Sequence, residues 1–315
     1  MTIDILQPGP QATLQAAPRV GQRHLAIPAS GPADRLSCML ANCLVGNRVD
    51  APAIEITAGP FQMRATESIT IAITGAANDI KVNAHAIDSA SVTALKPDDV
   101  LTIAPPRLGM RTYLAVRGGL VAEPWLGSAS TYLPARVGGL NGRALRRTDQ
   151  LRRAEYVVNE PAPAPLPRDL RFRWHDQWVL RVLIGRDLPG EHSDTARALF
   201  DTTWRVHPDS SRMGIRCTGS SLPGFKSAQL PSRPVFPGTI QWPGEDALLM
   251  LLSDAQTTGG YAQLAAVTLC DQHLLGQCRP GDTIRLHPLS IEAANATLKD
   301  KQALFAPWLG AAKWW

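Results

Sequence analysis

Seven residues near the middle of the chain alternate proline with alanine or leucine, and they restrict the possible folds more than any other segment. Residues 161–167 read Pro-Ala-Pro-Ala-Pro-Leu-Pro. Each proline fixes its backbone φ and lacks an amide donor, so this segment is extended and cannot join the interior of a sheet. We therefore predict an N-terminal lobe over 1–160, a proline-rich linker over 161–177 and a C-terminal lobe over 178–315.

Turn-forming residues are frequent, because the 315 residues include 25 glycines and 26 prolines. This density favours many short strands over long helices. Alternating or apolar segments predict strands at eight places: Ala53–Thr57, Ser68–Thr74, Val100–Ile103, Tyr113–Val116, Val179–Ile184, Ile215–Thr218, Leu248–Leu252 and Thr283–Leu286.

Two pairs of segments link the halves of the chain. Leu95–Pro105 and Cys278–Pro288 each place a basic residue and a proline before a turn acid, followed by an alternating strand. Ser68–Gly75 and Leu248–Asp254 each run from an apolar strand into a polar turn. Because the pairs occur in the same order, we predict a duplicated domain. The fold class is mainly β with a few helices, in two barrel-like lobes.

One helix has clear start and stop signals. Apolar residues from Leu36 to Leu44 recur at helical spacing, Asp34 precedes them, and Gly46 and Asn47 end the pattern. A weaker helix is predicted over about 193–200, and a short one over about 271–275.

Charge and composition exclude several classes of protein. The net charge is +5, and the densest basic segment, 143–153, lacks the interleaved aromatic residues of many nucleic-acid proteins. A modest positive field favours anionic substrates or partners. The first ten residues lack the basic region of a signal peptide, and no apolar run approaches about 18 residues, so we predict a cytoplasmic protein. Five cysteines at unpatterned spacings predict buried reduced thiols.

The common sequence motifs of cofactor sites are missing. The chain has no P-loop sequence, no Gly-x-Gly-x-x-Gly and no His-Glu-x-x-His, and its seven histidines show no ligand spacing, so we predict no metal site. No methionine precedes a lysine. We therefore expect that biotin is not attached to this chain.

Two segments of the N-terminal half have the character of site loops. Residues Ile27–Asp34 place Ser30 and Asp34 at a helix start, where backbone N–H groups favour an anion. The alternative is that either side chain only caps the helix. At a strand end, Arg117 precedes Gly118 and Gly119, and an arginine suits a carboxylate while glycines admit a ligand. Pairing of Arg117 with a surface acid remains the alternative.

Two further segments lie in the C-terminal half. Pro237–Gln241 is a turn that leads into a strand. Ser253–Tyr261 follows an apolar strand and combines an acid, an amide, two hydroxyls and two glycines. Polar groups clustered at a strand end are typical of a small-molecule site. A purely structural hairpin loop remains the alternative.

Ten short segments, taken in order, resemble the biotin-dependent carboxyltransferase-type family. That family is also called allophanate hydrolase subunit 2, and it includes the KipA proteins and the C-type subunit of 5-oxoprolinase. The resemblance covers about 26–288 and is carried by Ser30–Leu36, Leu40–Asn42, Leu44–Asn47, Ile54–Thr57, Ala115–Gly119, Leu126–Thr131, His207–Gly214, Pro237–Gln241, Asp254–Tyr261 and Arg279–Asp282.

The resemblance implies two cyclophilin-like β-barrel lobes and one component of a hetero-oligomeric, ATP-dependent 5-oxoprolinase, which opens pyroglutamate to glutamate. It implies a B-type, KipI-like partner and a LamB/YcsF-like A-type partner, with ATP bound by or shared with these partners. One alternative is the carboxyltransferase component of a urea carboxylase or allophanate hydrolase system. Another is a KipA-like regulator without catalysis that binds a KipI-like protein.

Residue roles are hypotheses from the clustering of polar groups on predicted loops. Proton transfer or orientation is assigned to three residues, Asp34, Asp254 and Gln256. Substrate binding is assigned to Ser30, Arg117, Gly118, Gly119, Gln241, Thr257, Thr258, Gly259 and Gly260. Arg117 is the candidate for the substrate carboxylate, and the 256–260 segment is the candidate for carbonyl or phosphate oxygens. We expect loops of both lobes to converge in one polar cleft.

Overall fold

The structure is a computed structural model that describes residues 2–155, 163–190, 192–223, 225, 230–244 and 247–313. Its contacts divide the chain into two compact units. Unit 1 contains residues 2–20, Ser30–Trp174 and 305–313. Unit 2 contains Gly21–Ala29 and His175–Leu304.

Unit 1 consists of short strands and one helix. The strands are β1 (Ile3–Gln7), β2 (Gln11–Gln15), β3 (Ala53–Thr57), β4 (Phe61–Ala65), β5 (Ile69–Gly75), β6 (Ile80–Val82), β7 (His85–Ala86), β8 (Val92–Leu95), β9 (Val100–Ile103), β10 (Arg111–Val116) and β11 (Gln150–Leu151), and the helix is α1 (Arg35–Leu44). They form one sheet in the order β11-β1-β4-β9-β6-β7 and another in the order β2-β3-β10-β5-β8. Short 3-10 turns lie at Arg23–Leu25, in unit 2, and Arg168–Leu170, in unit 1.

The core of unit 1 lies between its two sheets. Alternate residues of β1, β4 and β9 point into it from the first sheet, and those of β3, β5 and β10 from the second. All six residues of β10 are buried, because one face of this strand meets the core and the other meets α1. A strand covered on both faces reads as a continuous apolar run instead of an alternating pattern.

Unit 2 is built around a closed seven-stranded barrel. Its elements are β12 (Gln177–Ile184), α2 (Asp194–Asp201), β13 (Trp204–Val206), β14 (Gly214–Thr218), β15 (Arg233–Pro234), β16 (Thr239–Gly244), β17 (Ala247–Leu251), β18 (Thr258–Gly259), β19 (Ala262–Val267), α3 (Gln272–Leu275), β20 (Thr283–Pro288) and α4 (Ile291–Leu309), whose residues from Phe305 belong to unit 1. The ring order is β12-β19-β16-β17-β14-β13-β20, with β12 and β20 parallel. Trp204 is fully buried and meets the Trp242 ring edge-on, with 6.3 Å between centroids.

The prediction of a mainly β fold is confirmed. Each of the eight predicted strands is present, and every predicted end lies within two residues of the observed end. The predicted helices are α1, α2 and α3, and Ser193 caps α2 by accepting a hydrogen bond from the Ala196 amide. Sequence reasoning missed α4, which is 19 residues long. Its apolar residues do not follow one clear stripe and Pro307 lies inside it, so its alanine-rich composition was the only strong signal.

The division into units differs from the predicted lobes by two segments. Arg23 joins unit 2, because its guanidinium donates to the Val235 carbonyl and lies 4.8 Å from the centre of the Phe236 ring. Phe305 joins unit 1, with its ring centroid 5.8 Å from that of Phe172. The proline-rich segment lies within unit 1 as far as it is described, and its residues 161 and 162 lie outside the described residues.

Candidate functional sites in the two units

The loop before α1 holds Ser30 and Asp34, two of the predicted site residues. Asp34 caps the helix: one carboxylate oxygen accepts from the Ser37 amide at 2.9 Å and the other from the Ser37 hydroxyl at 2.6 Å. Ser30 has a left-handed φ of 54° and is 3% exposed. Within the described part of the chain its hydroxyl has no hydrogen-bond partner. An unsatisfied buried hydroxyl is rare enough to mark a candidate ligand contact.

Two buried side chains hold this loop in place. Glu55 accepts from the Ala33 amide at 2.8 Å and from the Tyr113 hydroxyl at 2.8 Å. The Tyr113 hydroxyl in turn accepts from the Asp34 amide at 2.8 Å. Burial, and then the nearby Glu55 carboxylate, raise the pKa of Tyr113 well above its usual value, so the phenol keeps its proton. The loop is therefore rigid and pre-formed.

Replacing Asp34 by alanine is expected to cost about 1–2 kcal/mol of unfolding free energy, because the buried cap is lost. Asp34→Asn should retain most of the stability, since asparagine also caps helices. Ser193→Ala, which removes the cap of α2, is the matched control and should cost less because Ser193 is only half-buried. Urea unfolding curves would measure all three. Equal losses for Asp34→Asn and Asp34→Ala would contradict capping as the main role of Asp34.

Arg117 lies at the other end of α1. Its guanidinium donates to the Val45 carbonyl at 3.1 Å, where the helix ends. At 1.5 Å per residue, the ten residues of α1 separate Arg117 from Asp34 by about 15 Å. Arg117 and the Ser30–Asp34 loop therefore do not share a site in unit 1.

Gly118 and Gly119 follow β10 with left-handed φ values of 87° and 73°. The Gly118 amide donates to the Asn47 side chain at 2.8 Å, and both glycines are buried. Their backbone conformation explains why the sequence has glycine here, without requiring a ligand. Their predicted binding role stays a prediction.

In unit 2, Asp254 forms a buried ion pair. Its carboxylate accepts from the Arg212 guanidinium at 2.8 and 3.3 Å, and both side chains are almost fully buried. Arg212 also donates to the Ser253 hydroxyl at 3.1 Å. This pair fixes the turn that follows β17, so Asp254 acts first as an anchor for the loop.

The residues after this turn form a short ribbon. Thr258 and Gly259 pair with Arg233 and Pro234, while the Val235 amide donates to the Thr257 carbonyl at 3.0 Å. Gln256 and Gly260 are half-buried, Thr257 is buried and Thr258 is exposed. The ribbon is held in turn by Arg233, whose guanidinium forms an ion pair with Asp187.

Gln241 lies beneath this ribbon. It is 0% exposed, and its amide nitrogen is 3.4 Å from the Tyr261 carbonyl. No described residue donates a hydrogen bond to its side-chain oxygen. A Cβ atom added at Gly259 would lie 2.8 Å from the Gln241 amide nitrogen, so glycine permits the close approach. Gln241 thus lies against Gly259 and Tyr261 in unit 2, and the binding roles of Gln241 and of the 256–260 segment stay predictions.

Sequence reasoning missed the residues that support these loops. Arg212 lies within the His207–Gly214 segment, but no local pattern pairs it with Asp254, which is 42 residues away. Glu55 and Tyr113 lie in β3 and β10, two strands in which every residue is buried. A polar residue flanked by apolar residues in a predicted strand is the signal that could have indicated a buried hydrogen-bond network.

The described residues contain no group of three or more histidine, cysteine or acidic side chains suited to a metal ion. All five cysteines are buried and outside disulfides, as predicted. Burial raises the pKa of Cys43 to about 11 and that of Cys217 to about 12. These thiols are therefore poor nucleophiles at neutral pH. No helix among the described residues has the length and hydropathy needed to cross a membrane.

Comparisons with known proteins agree on one family. The model of the family described as "Carboxyltransferase domain, subdomain A and B" matches residues 25–288. The C-type subunit of 5-oxoprolinase from Escherichia coli (strain K12) is 34% identical over 311 residues, which are 96% of each chain. The urea amidolyase of Lachancea kluyveri is 33% identical over 95% of this chain, but this match spans only 17% of the amidolyase.

A solved structure agrees with this similarity. The urea carboxylase of Kluyveromyces lactis superposes with a TM-score of 0.85 at 28% identity, over 96% of this chain and 29% of that chain. Because the superposition covers 96% of this chain, the chain has the fold of the corresponding part of the urea carboxylase, which is a much longer protein. The 5-oxoprolinase component, in contrast, matches from end to end.

Proposed function

Because this chain belongs to the carboxyltransferase domain family with subdomains A and B, we propose that it is the C-type subunit of an ATP-dependent 5-oxoprolinase. The enzyme would open the lactam ring of pyroglutamate to give glutamate. One observation carries the proposal: the C-type subunit of the Escherichia coli 5-oxoprolinase shares 34% identity over 96% of both chains. A match to 17% of a urea amidolyase is weaker support for that enzyme's reaction.

The proposed enzyme is a cytoplasmic hetero-oligomer that is active only as a complex. Support comes from the relative's name, because an enzyme with a C-type subunit has other subunits. We propose a B-type, KipI-like protein and a LamB/YcsF-like A-type protein as partners. ATP would be bound by these partners or shared with them, since this chain has no P-loop sequence. Biotin would not be attached to this chain.

The chemistry of ring opening requires polarisation of the lactam carbonyl. ATP would phosphorylate the lactam oxygen and leave as ADP, a first water would add to the same carbon, and breaking of the carbon–nitrogen bond would give glutamyl phosphate. A second water would hydrolyse this acyl phosphate to glutamate and phosphate. Preorganised donors stabilise charge that develops on oxygen. The Gln256 side chain, the Thr257 hydroxyl and the Gly259 and Gly260 amides are the candidate donors in unit 2. Gln241, which is fully buried beneath the ribbon, is the candidate for holding these donors in place.

Two predicted catalytic carboxylates have structural partners that change their proposed role. Asp34 is engaged with Ser37, and Asp254 with Arg212. We therefore assign both as positioning residues that hold their loops. Convergence of the loops of units 1 and 2 in one cleft stays a prediction.

The test is reconstitution of the chain with its proposed partners. We expect ADP and glutamate to form in equal amounts, and only when pyroglutamate is present. Urea and 2-pyrrolidinone are the control substrates, because neither has both a lactam and a carboxylate. ATP hydrolysis that does not respond to pyroglutamate would contradict the proposal.

The second candidate is carboxyl transfer, which is favoured by the TM-score of 0.85 with the urea carboxylase. It predicts consumption of carboxybiotin in the presence of urea. A KipA-like regulator would bind the KipI-like protein without either turnover.

A further inference from the structure

Unit 1 contains a cavity of about 260 Å³ beside the first turns of α1. The loop after β2, the loop before α1, the residues after α1 and residues 312 and 313 surround it. Its apolar walls include Pro18, Pro32, Met39 and Val49. The volume lies just below the ~300–1,000 Å³ of sites for drug-sized ligands, so the cavity suits a small molecule.

Positive charge dominates the ionised groups of this cavity. Arg35 and Lys313 line it, together with one acid, Asp50. Asp50 is already paired with Arg48, whose guanidinium donates to both carboxylate oxygens at 3.0 and 2.9 Å. This pairing lowers the pKa of Asp50, and it leaves Arg35 without an acid from the cavity wall.

The position of Arg35 is unfavourable without an anion. Its guanidinium donates to the Lys313 carbonyl at 3.1 Å, and no carboxylate among the described residues pairs with it. Arg35 is half-buried, and desolvation lowers its pKa. It is also the first residue of α1, where the helix dipole disfavours a cation. With five N–H donors and one of these bonds made, the side chain retains the means to hold a carboxylate.

We propose that this cavity binds a small organic carboxylate, with Arg35 gripping the carboxylate and Pro18, Pro32 and Met39 packing against its uncharged body. The assignment concerns unit 1 alone, and the carboxylate-binding role predicted for Arg117 stays a prediction. The choice of pyroglutamate as ligand rests on the proposed function. The cavity, its positive charge and the lack of a carboxylate partner for Arg35 among the described residues do not depend on the proposed function.

The experiment is calorimetric titration of pyroglutamate into the full-length chain. We expect binding to the wild type, and binding about 10- to 100-fold weaker to Arg35→Gln, because a charge-assisted hydrogen bond is lost. Arg35→Lys keeps the charge and should lose less. Arg64→Gln is the matched control, since Arg64 is exposed and neither it nor its ion-pair partner Asp4 lines the cavity, and it should bind as the wild type does. Melting curves of each variant would confirm that it folds.

A second ligand tests the contribution of the carboxylate to binding separately from that of the lactam ring. 2-Pyrrolidinone has the same lactam without the carboxylate, and it should bind weakly and equally to the wild type and Arg35→Gln. Equal pyroglutamate affinity for these two proteins, or no binding to the wild type, would overturn the cavity assignment. Pyroglutamate-dependent turnover of the complex would then still support the proposed function. Arg35-dependent binding in a chain whose complex does not turn over pyroglutamate would support the cavity assignment and contradict the proposed function.

Discussion

Gln241→Leu is expected to lower the pyroglutamate-dependent turnover of the reconstituted complex about 100-fold, while the melting temperature stays the same or rises. The loss of activity follows from removing the buried side chain that lies against Gly259 and holds the proposed oxyanion donors in place. The unchanged stability follows from the unsatisfied side-chain oxygen of Gln241, which is fully buried and has no donor among the described residues. Leucine has a similar size and removes an uncompensated desolvation cost. Steady-state turnover and thermal unfolding would be measured on the same preparations.

Gln263→Leu is the matched control for this prediction. Gln263 pairs with Gln241 in the β16–β19 ladder, but its side chain instead donates to the Pro234 carbonyl at 3.2 Å. Its replacement should leave turnover near that of the wild type. The assignment of Gln241 fails if Gln241→Leu turns over normally. It also fails if the variant unfolds at a much lower temperature, because the amide would then be structural.

Arg212→Leu is expected to cost about 3–5 kcal/mol of unfolding free energy in unit 2, the largest stability effect we predict. The substitution leaves the Asp254 carboxylate buried without its ion-pair partner, and an uncompensated buried charge is costly. Replacing both residues by leucine should recover most of this loss, since an apolar pair of similar volume is often neutral. Chemical unfolding followed by tryptophan fluorescence would measure the effect.

A surface ion pair provides the comparison for Arg212. Arg197 pairs with Asp194 on α2, where both side chains are largely exposed. Exposed pairs contribute little, so Arg197→Leu should leave the unfolding curve nearly unchanged. Similar losses for Arg212→Leu and Arg197→Leu would show that the Asp254 anchor contributes no more than a surface contact.

The sequence predicts strands well where turn residues flank a short strand pattern. Val100–Ile103 and Ala53–Thr57 match β9 and β3 residue for residue, because alternation and flanking turns are local signals. The assignment of Arg23 to unit 2 and of Phe305 to unit 1 depends on contacts with residues far away in the chain. No local pattern encodes such contacts, so the unit boundaries could not be predicted.

The candidate site could be predicted in part, because some of its signals are local in the sequence. Clustered polar residues after an apolar strand pointed to the 256–260 segment, and a turn that leads into a strand pointed to Gln241. The supports could not be found this way, because the pairing of Arg212 with Asp254 exists only in the folded barrel. Arg117 shows the converse case. An arginine beside two glycines was predicted to bind a carboxylate, and in the structure its guanidinium donates to the Val45 carbonyl at the end of α1.

The exchange of segments between the units has a consequence for biosynthesis. Unit 1 includes the ring of Phe305, which packs near Phe172. A ribosome releases residue 305 only after all of the barrel strands have been made, because the last of them ends at Pro288. The first unit to be translated is thus the last to acquire its full set of contacts. During this delay, the surface later covered from Phe305 onward stays open to chaperones and to other nascent chains.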